Sequence, residues 1–94
     1  MDINREIRLA VNTGDTSLGI KEGRKNIEDG QVKMLIVAKN CPEQKFKGDE
    51  YKGVPIYQFK GNNHDLGSTA GKPFTVSTIA VMDPGESDIL SLIE

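Results

Sequence analysis

MLIVA, residues 34–38, is a continuous apolar run near the middle of the chain. Such a run is typical of a strand covered on both faces, because a strand with one exposed face alternates apolar and polar residues. Residues 76–82 form a second run of this kind, and residues 54–59 favour another strand with Pro55 at its beginning. Ser17 and Leu18 indicate a very short one. The sequence therefore predicts a sheet of four strands.

Helical segments alternate with these strands. The first has apolar residues at helical spacing, namely Ile3, Ile7, Ala10 and Val11. We expect it to end near Thr13-Gly14, with glycine in the left-handed conformation. The second is predicted over residues 20–29, opened by Gly19 and ended by Gly30. Its internal Gly23 lowers helix stability, which suggests close packing or the approach of a partner there.

Two shorter helices follow later in the chain. Residues 63–71 are predicted to be helical, with Asn63 as the N-terminal cap and with Leu66 and Ala70 on one side. Asp83-Pro84-Gly85 then turns the chain into a last helix, whose apolar stripe is Ile89, Leu90 and Ile93. Alternating helices and strands predict one sheet with helices on both faces. We therefore expect a single domain over residues 1–94, an α/β fold built as a three-layer α/β/α sandwich with a short mixed four-stranded sheet.

Length and composition limit the possible functions. A chain of 94 residues has room for one small domain and little for a deep substrate cleft. No stretch approaches the roughly 20 apolar residues of a membrane span, and the first residues lack a signal-peptide pattern. Cys41 is the single cysteine, and the sequence has no Cys and His cluster for a structural zinc. We expect a reducing, cytoplasmic setting, with no metal and no cofactor.

Charged residues are unevenly distributed. The net charge of −2 counts mildly against a nucleic-acid binder, whose balance is usually basic. Acidic residues concentrate at 83–94 and at Asp49-Glu50, whereas Lys21, Arg24 and Lys25 form a basic cluster. Because contact is made by a patch, this distribution matters more than the sum.

Three places have residue types suited to binding. Gly19 stands at a helix start, where free backbone N–H groups attract a phosphate or a base edge, and Lys21 and Lys25 share a face of that helix. Asn40 follows a buried strand, and its amide both donates and accepts. Phe74, if exposed, would stack on an unpaired base. The bland alternatives are an ordinary helix start, a turn residue, and an aromatic that covers the edge of the core.

Catalytic residues do not form a recognisable arrangement in the sequence. His64 has Asp65 beside it but no second ligand or nucleophile at a familiar spacing. GSTAGK at 67–72 lacks the phosphate-loop form, because a proline follows the lysine. Cys41 has no histidine nearby in sequence. We therefore expect a protein that is not an enzyme.

Four segments together resemble the L30e family of archaeal and eukaryotic large-subunit ribosomal proteins. They are LGIK at 18–21, LIVAKN at 35–40, LGSTAGKPF at 66–74 and DPGESDIL at 83–90. The resemblance covers nearly the whole chain and implies the α/β/α sandwich of the kink-turn RNA binders, which grip a sharply bent RNA internal loop flanked by sheared G·A pairs. Residues 42–53 are several residues shorter than the family's third helix and contain Gly48 and Gly53, so we expect a truncated or irregular helix there.

The resemblance also implies which residues bind RNA. Gly19 and Lys21 match the family's glycine-x-lysine at the start of the second helix, Asn40 matches its base-reading asparagine, and Phe74 matches an aromatic that packs against the RNA. With the neighbouring positions, the expected RNA-binding set is Leu18, Gly19, Ile20, Lys21, Glu22, Lys25, Asn40, Phe74 and Val76.

The leading hypothesis is a structural constituent of the large ribosomal subunit that binds a kink-turn in ribosomal RNA. Such a protein would be a monomer when free, would meet other large-subunit proteins on the ribosome, and would be cytoplasmic. One alternative is a kink-turn binder of a guide-RNA modification particle, but that branch has a glycine-threonine-asparagine-glutamate run where this chain has Gly19-Ile20-Lys21-Glu22. Another is a small protein-interaction module or a minor hydrolase, which would not co-purify with RNA.

Overall fold

The computed structural model describes residues 2–93 and contains, within them, three α-helices, five β-strands and two 3-10 helices. The helices are α1 (Ile3–Thr13), α2 (Ile20–Glu28) and α3 (Asn63–Thr69). The strands are β1 (Asp15–Leu18), β2 (Met34–Val37), β3 (Glu50–Tyr51), β4 (Val54–Gln58) and β5 (Thr78–Asp83). The 3-10 helices are Gln44–Phe46 and Ile89–Ile93. Among these residues, no helix is both long and apolar enough to cross a membrane.

All five strands form one mixed sheet in the order β1-β5-β2-β4-β3. β2 and β4 are parallel, and the other neighbouring pairs are antiparallel. Val37 of β2 lies opposite both Gln58 of β4 and Thr78 of β5, and Leu18 of β1 lies opposite Ile79. Consequently β1, β2 and β4 all end, and β5 begins, at the same end of the sheet. We call this the Gly19 end.

The apolar run at 34–38 is buried throughout, at 1% exposure or less, as the sequence predicted. Successive side chains of a strand point to opposite faces, and those of β2 enter two different apolar clusters. The first cluster includes Met34 and Ile36 with Ile7 of α1 and Leu66 of α3, and the second includes Leu35 and Val37 with Ile27 of α2 and Phe46. Apolar side chains therefore cover both sides of the sheet at β2.

The sheet has five strands, so the prediction of four was wrong. The additional strand, Glu50–Tyr51, pairs antiparallel with β4 through a two-residue turn at Lys52 and Gly53. Both turn residues have positive φ, 51° and 82°, which is the geometry that matches the twist of a hairpin. The irregular helix expected over residues 42–53 is reduced to the single 3-10 turn Gln44–Phe46, which buries Phe46 in the second cluster.

The C-terminus of α1 and the N-terminus of α3 are formed differently from the prediction. Gly14 ends α1, but its φ of −102° is extended and not left-handed. Glycine fits there because an added Cβ would overlap the carbonyl oxygen of Asp83. The cap of α3 is Asn62 and not Asn63: its side chain accepts from the Asp65 N–H at 3.0 Å, and Asp65 accepts from the Asn62 N–H. This reciprocal pair is a capping box.

The C-terminal apolar stripe is present, but it lies on a 3-10 helix instead of an α-helix. Ile89 is buried, and Leu90, Leu92 and Ile93 pack half-buried against the first cluster. With three residues per turn, side chains three apart stand above one another, so this helix presents its apolar residues in pairs. The N–H of Asp88, just before it, donates to the buried carboxylate of Glu6 at 2.7 Å.

Gly23 of α2 is buried and faces the sheet, which accounts for a glycine inside a helix. A Cβ added there would lie 3.6 Å from Thr78 Cγ2 and 4.0 Å from Leu35 Cδ2, which are ordinary contact distances. Gly23→Ala is therefore expected to stabilise the protein by about 0.5–1 kcal/mol, because alanine loses less backbone entropy in a helix. Urea unfolding measures this as a higher midpoint at an unchanged slope, and a lower midpoint would contradict it.

Candidate nucleic-acid interface

Backbone hydrogen bonds join the loops at the Gly19 end of the sheet. The Gly19 N–H donates to the carbonyl oxygen of Thr78 at 2.8 Å, and the Ala38 N–H donates to that of Ser77 at 2.9 Å. The Lys39 N–H donates to Gly61 at 2.8 Å. The segments that follow β1, β2 and β4 are thereby held against each other and against the start of β5. Predicted site residues that are far apart in sequence lie on these segments.

Gly19 adopts a conformation that only glycine takes readily, with φ 108° and ψ 159°. A Cβ built on it would have nothing within 4 Å, so the space in front of it is open. It precedes α2, whose first turn has no side-chain cap; the first bond within the helix runs from the Gly23 N–H to the Gly19 carbonyl at 3.1 Å. The N–H groups of that first turn therefore have no side-chain acceptor and can donate to a ligand.

The apolar neighbours of Gly19 anchor it to the fold. Leu18 and Ile20 are both half-buried; Leu18 packs against the first apolar cluster and Ile20 against the second. This arrangement holds the glycine between the two clusters while its own surface remains free.

Exposed charges surround the start of α2. Lys21, Glu22 and Lys25 are exposed, and Arg24 forms an ion pair with Glu43 at 3.3 Å. Within residues 2–93, neither Lys21 nor Lys25 has a carboxylate at ion-pair distance. Their positive charges are therefore available to an anionic ligand.

Asn40 is held by Asn63, the first residue of α3. The Asn63 backbone N–H donates to Asn40 Oδ1 at 2.8 Å, and Asn40 Nδ2 donates to Asn63 Oδ1 at 3.0 Å. The Asn63 carbonyl also accepts the Val76 N–H at 3.0 Å. One amide hydrogen and one lone pair of Asn40 remain for a ligand. The exposed amide is thus oriented by the protein before any ligand arrives.

Phe74 is 56% exposed and is the single large apolar side chain that stands out into solvent among residues 2–93. The alternative interpretation of Phe74, as an aromatic that covers the edge of the core, is therefore wrong. Its backbone packs closely against α3, because the Phe74 carbonyl occupies the space that a side chain at Gly67 of α3 would need. By contrast, Val76 is 3% exposed and lies in the core, and it contributes only its backbone to this end of the sheet.

Several residues of this surface lie outside the set predicted from the sequence. Asn63, predicted to cap a helix, instead orients Asn40. Lys39 and Lys60 are exposed and follow β2 and β4 at the same end of the sheet, where they add positive charge. The position of each basic residue just after a predicted strand was a signal that would have found them.

His64 and Cys41 lie in different surroundings. His64 is exposed, and Cys41 is 1% exposed with its Sγ 3.5 Å from the Thr78 hydroxyl. In the described part of the chain, no three His, Cys, Asp or Glu residues gather as metal ligands. The Gly19 end of the sheet offers hydrogen-bonding groups, positive charge and an aromatic face, which together suit a nucleic acid.

Comparison with known proteins identifies the family. The model described as "Ribosomal protein L7Ae/L30e/S12e/Gadd45 family" matches residues 1–91. The chain is 46% identical to the large ribosomal subunit protein eL30 of Methanoregula boonei, over 98% of this chain and 96% of that protein. It is 40% identical to the eL30 of Pyrobaculum calidifontis (100% and 97%) and 43% identical to that of Methanobrevibacter smithii (96% and 95%). The chain therefore belongs to the L7Ae/L30e/S12e/Gadd45 family of ribosomal proteins, as its motifs indicated.

Proposed function

We propose that this chain is a structural constituent of the large ribosomal subunit that binds a kink-turn in ribosomal RNA and catalyses no reaction. Its neighbours would be other large-subunit proteins, and free of the ribosome it would be a monomer and one domain. The relatives named eL30 support the ribosomal assignment. The observation that carries the RNA assignment is the joining of the Gly19 and Asn40 loops at one end of the sheet.

The geometry suits a bent RNA with splayed bases better than a regular duplex. Sequence-specific RNA recognition usually targets loops and bulges, whose unstacked bases expose their edges and faces. The open space at Gly19 admits a close approach to the helix start, the oriented Asn40 amide suits a base edge, and exposed Phe74 suits a base face. In the three-layer arrangement that we propose, helices cover both faces of the sheet and leave this end to the RNA.

The acidic net charge is compatible with this proposal because several lysines gather at the Gly19 end. Lys21, Lys39 and Lys60 are exposed at or beside the Gly19 end. Asp15 and Asp83 lie opposite each other in the pairing of β1 with β5, at the other end of these strands. A phosphate backbone at the Gly19 end therefore meets these three lysines, whose charge exceeds that of the exposed carboxylates Glu22 and Asp65 nearby. Asp15 and Asp83 lie too far away to oppose it.

A gel-shift titration with two short RNAs tests the proposal. One RNA has a kink-turn with intact sheared G·A pairs, and in the other these pairs are converted to Watson–Crick pairs. We expect a preference of about a hundredfold for the intact RNA, which corresponds to roughly 3 kcal/mol. Equal, salt-sensitive binding to both RNAs would reduce the interaction to nonspecific attraction and refute the proposal.

Lys21→Gln is expected to weaken binding of the intact kink-turn several-fold and to lower the slope of log K against log salt by about one, because one phosphate contact is lost. The matched control is Lys33→Gln, which removes the same charge from an exposed lysine next to the start of β2, at the opposite end of the sheet. Titrations at several salt concentrations give both slopes. Identical slopes for Lys21→Gln and the unmodified protein would remove Lys21 from the interface.

A further inference from the structure

A groove of about 510 Å³ runs between α1 and α3, outside the expected RNA-binding set. Its polar lining consists mainly of Asn4, Arg5, Arg8 and Asn12 of α1 and Ser68 and Thr69 of α3. Asn4, Arg8 and Asn12 follow one another at intervals of four, so they form one stripe along α1. Two guanidinium groups and two amides therefore place several hydrogen-bond donors in a single groove.

Arg8 is fixed in this groove by the end of α3. Its Nη2 donates to the Ser68 carbonyl at 3.0 Å and its Nε donates to the Thr69 carbonyl at 3.3 Å. These carbonyls belong to the last turn of the helix, where a cation is favourable. The guanidinium has five N–H donors in a rigid plane, so it keeps donors for a ligand while its orientation is already set.

The lining of the groove contains two arginines and one carboxylate, although the chain is acidic overall. Arg5 has 71% of its side chain exposed, and its nearest carboxylate partner, Glu6, is 3.9 Å away. Asp2 is the acidic residue of the lining, and its carboxylate accepts from the Arg5 backbone N–H at 3.2 Å as the cap of α1. Part of its charge is therefore balanced by the positive end of that helix. Among the residues that line the groove, the two arginines outnumber the one carboxylate, which favours an anionic ligand.

The groove is continuous with the surface around Phe74. Ser68 lines both this groove and the shallow pocket that contains Phe74, His64 and Lys72. An RNA strand with a base stacked on Phe74 therefore has a polar path across the exposed Ser68 onto α1. We propose that the α1–α3 groove is a second RNA contact, in which Arg5 and Arg8 bind phosphates of the strand that leaves the Phe74 surface. This inference rests on the proposed RNA-binding function.

The test compares a minimal kink-turn RNA with versions of it extended at one stem or the other. We expect one extension to strengthen binding about tenfold. Arg5→Gln should abolish that gain and leave the affinity for the minimal RNA unchanged, and it should lower the salt slope by about one on the extended RNA alone. Lys33→Gln is the matched control and should leave the gain in place.

Site-directed crosslinking locates the contact independently. Cys41 is 1% exposed, so a photo-crosslinker attached to the thiol of Asn12→Cys would label the groove selectively. Crosslinks to the extension, and their loss with Arg5→Gln, are expected. The inference is overturned if neither extension strengthens binding, if Arg5→Gln affects both RNAs equally, or if the probe at Asn12→Cys gives no crosslink to the extension. The proposed kink-turn function is tested separately, by comparing the affinity for the minimal RNA with and without its sheared pairs.

Discussion

Asn40→Asp is expected to lower the affinity for an intact kink-turn RNA by about a hundredfold while the protein stays folded. A bidentate amide contact with a base edge is worth about 1–3 kcal/mol, and a hundredfold loss corresponds to about 2.8 kcal/mol. The carboxylate cannot donate to a base, and it places a negative charge beside the RNA backbone. Both effects weaken binding, so their sum reaches the upper part of that range.

The fold tolerates this substitution because the contact with Asn63 survives it. The new side chain keeps the oxygen that accepts from the Asn63 N–H. The bond from Asn40 Nδ2 to Asn63 Oδ1 is lost, but a half-turn of the Asn63 amide presents its own Nδ2 to the carboxylate. We therefore expect a thermal midpoint within a few degrees of the unmodified protein, which corresponds to less than about 1 kcal/mol.

Gln31→Glu is the matched control for Asn40→Asp. Gln31 is exposed and lies between α2 and β2, at the opposite end of the sheet, and the substitution adds the same negative charge. It should reduce affinity by no more than a few-fold. Equal losses for both variants would mean that overall charge controls binding, and the base-reading role of Asn40 would then be wrong.

The sequence predicted the parts of the fold whose signal is local. The run at 34–38 could be recognised as a strand buried on both faces because all of its consecutive residues are apolar. The strand Glu50–Tyr51 could not, because two residues show no periodicity. Its turn gave a weak signal as well, since Lys52 occupies a positive-φ position that glycine, asparagine and aspartate usually fill.

The family resemblance predicted most residues of the candidate site. The exposure and contacts of these residues could be seen only in the structure. Phe74 follows a proline in an extended stretch, but its exposure depends on how α3 packs against it. The bond between Asn40 and Asn63 joins residues 23 apart, and no local pattern predicts such a pair. Gly23 and Gly67 look alike in the sequence, since both are glycines inside predicted helices. Their surroundings differ, and this difference leads to substitution effects of opposite sign.

Gly67→Ala is expected to destabilise the protein by about 1–3 kcal/mol, the range for a side chain forced into filled space. The added Cβ would overlap the Phe74 carbonyl oxygen and would lie 3.2 Å from its carbonyl carbon and 3.3 Å from Thr75 Cα. These are backbone atoms, which cannot turn aside as a flexible side chain can. Either α3 or the segment 73–75 must move, and this cost exceeds the gain of up to about 1 kcal/mol in helix propensity.

Urea unfolding of three alanine variants separates this cost from general effects of the substitution. Gly23→Ala should stabilise, because its Cβ meets ordinary contact distances in a helix, and Gly48→Ala should have little effect, because nothing lies within 4 Å of its Cβ. Gly67→Ala alone should lower the midpoint. A midpoint for Gly67→Ala at or above that of the unmodified protein would mean that the 73–75 segment yields freely and is not held by α3.

The RNA affinity of Gly67→Ala, measured where the protein is folded, connects this packing to the proposed function. We expect a loss comparable to that of Phe74→Ala, about 1–3 kcal/mol for a stacked base, because displacement of the backbone moves the ring from its position. In the double variant the two losses should not add, since each removes the same stacking contact. Full additivity would show that Gly67 acts on binding by a route other than Phe74, and the role of α3 as the support of the aromatic surface would have to be abandoned.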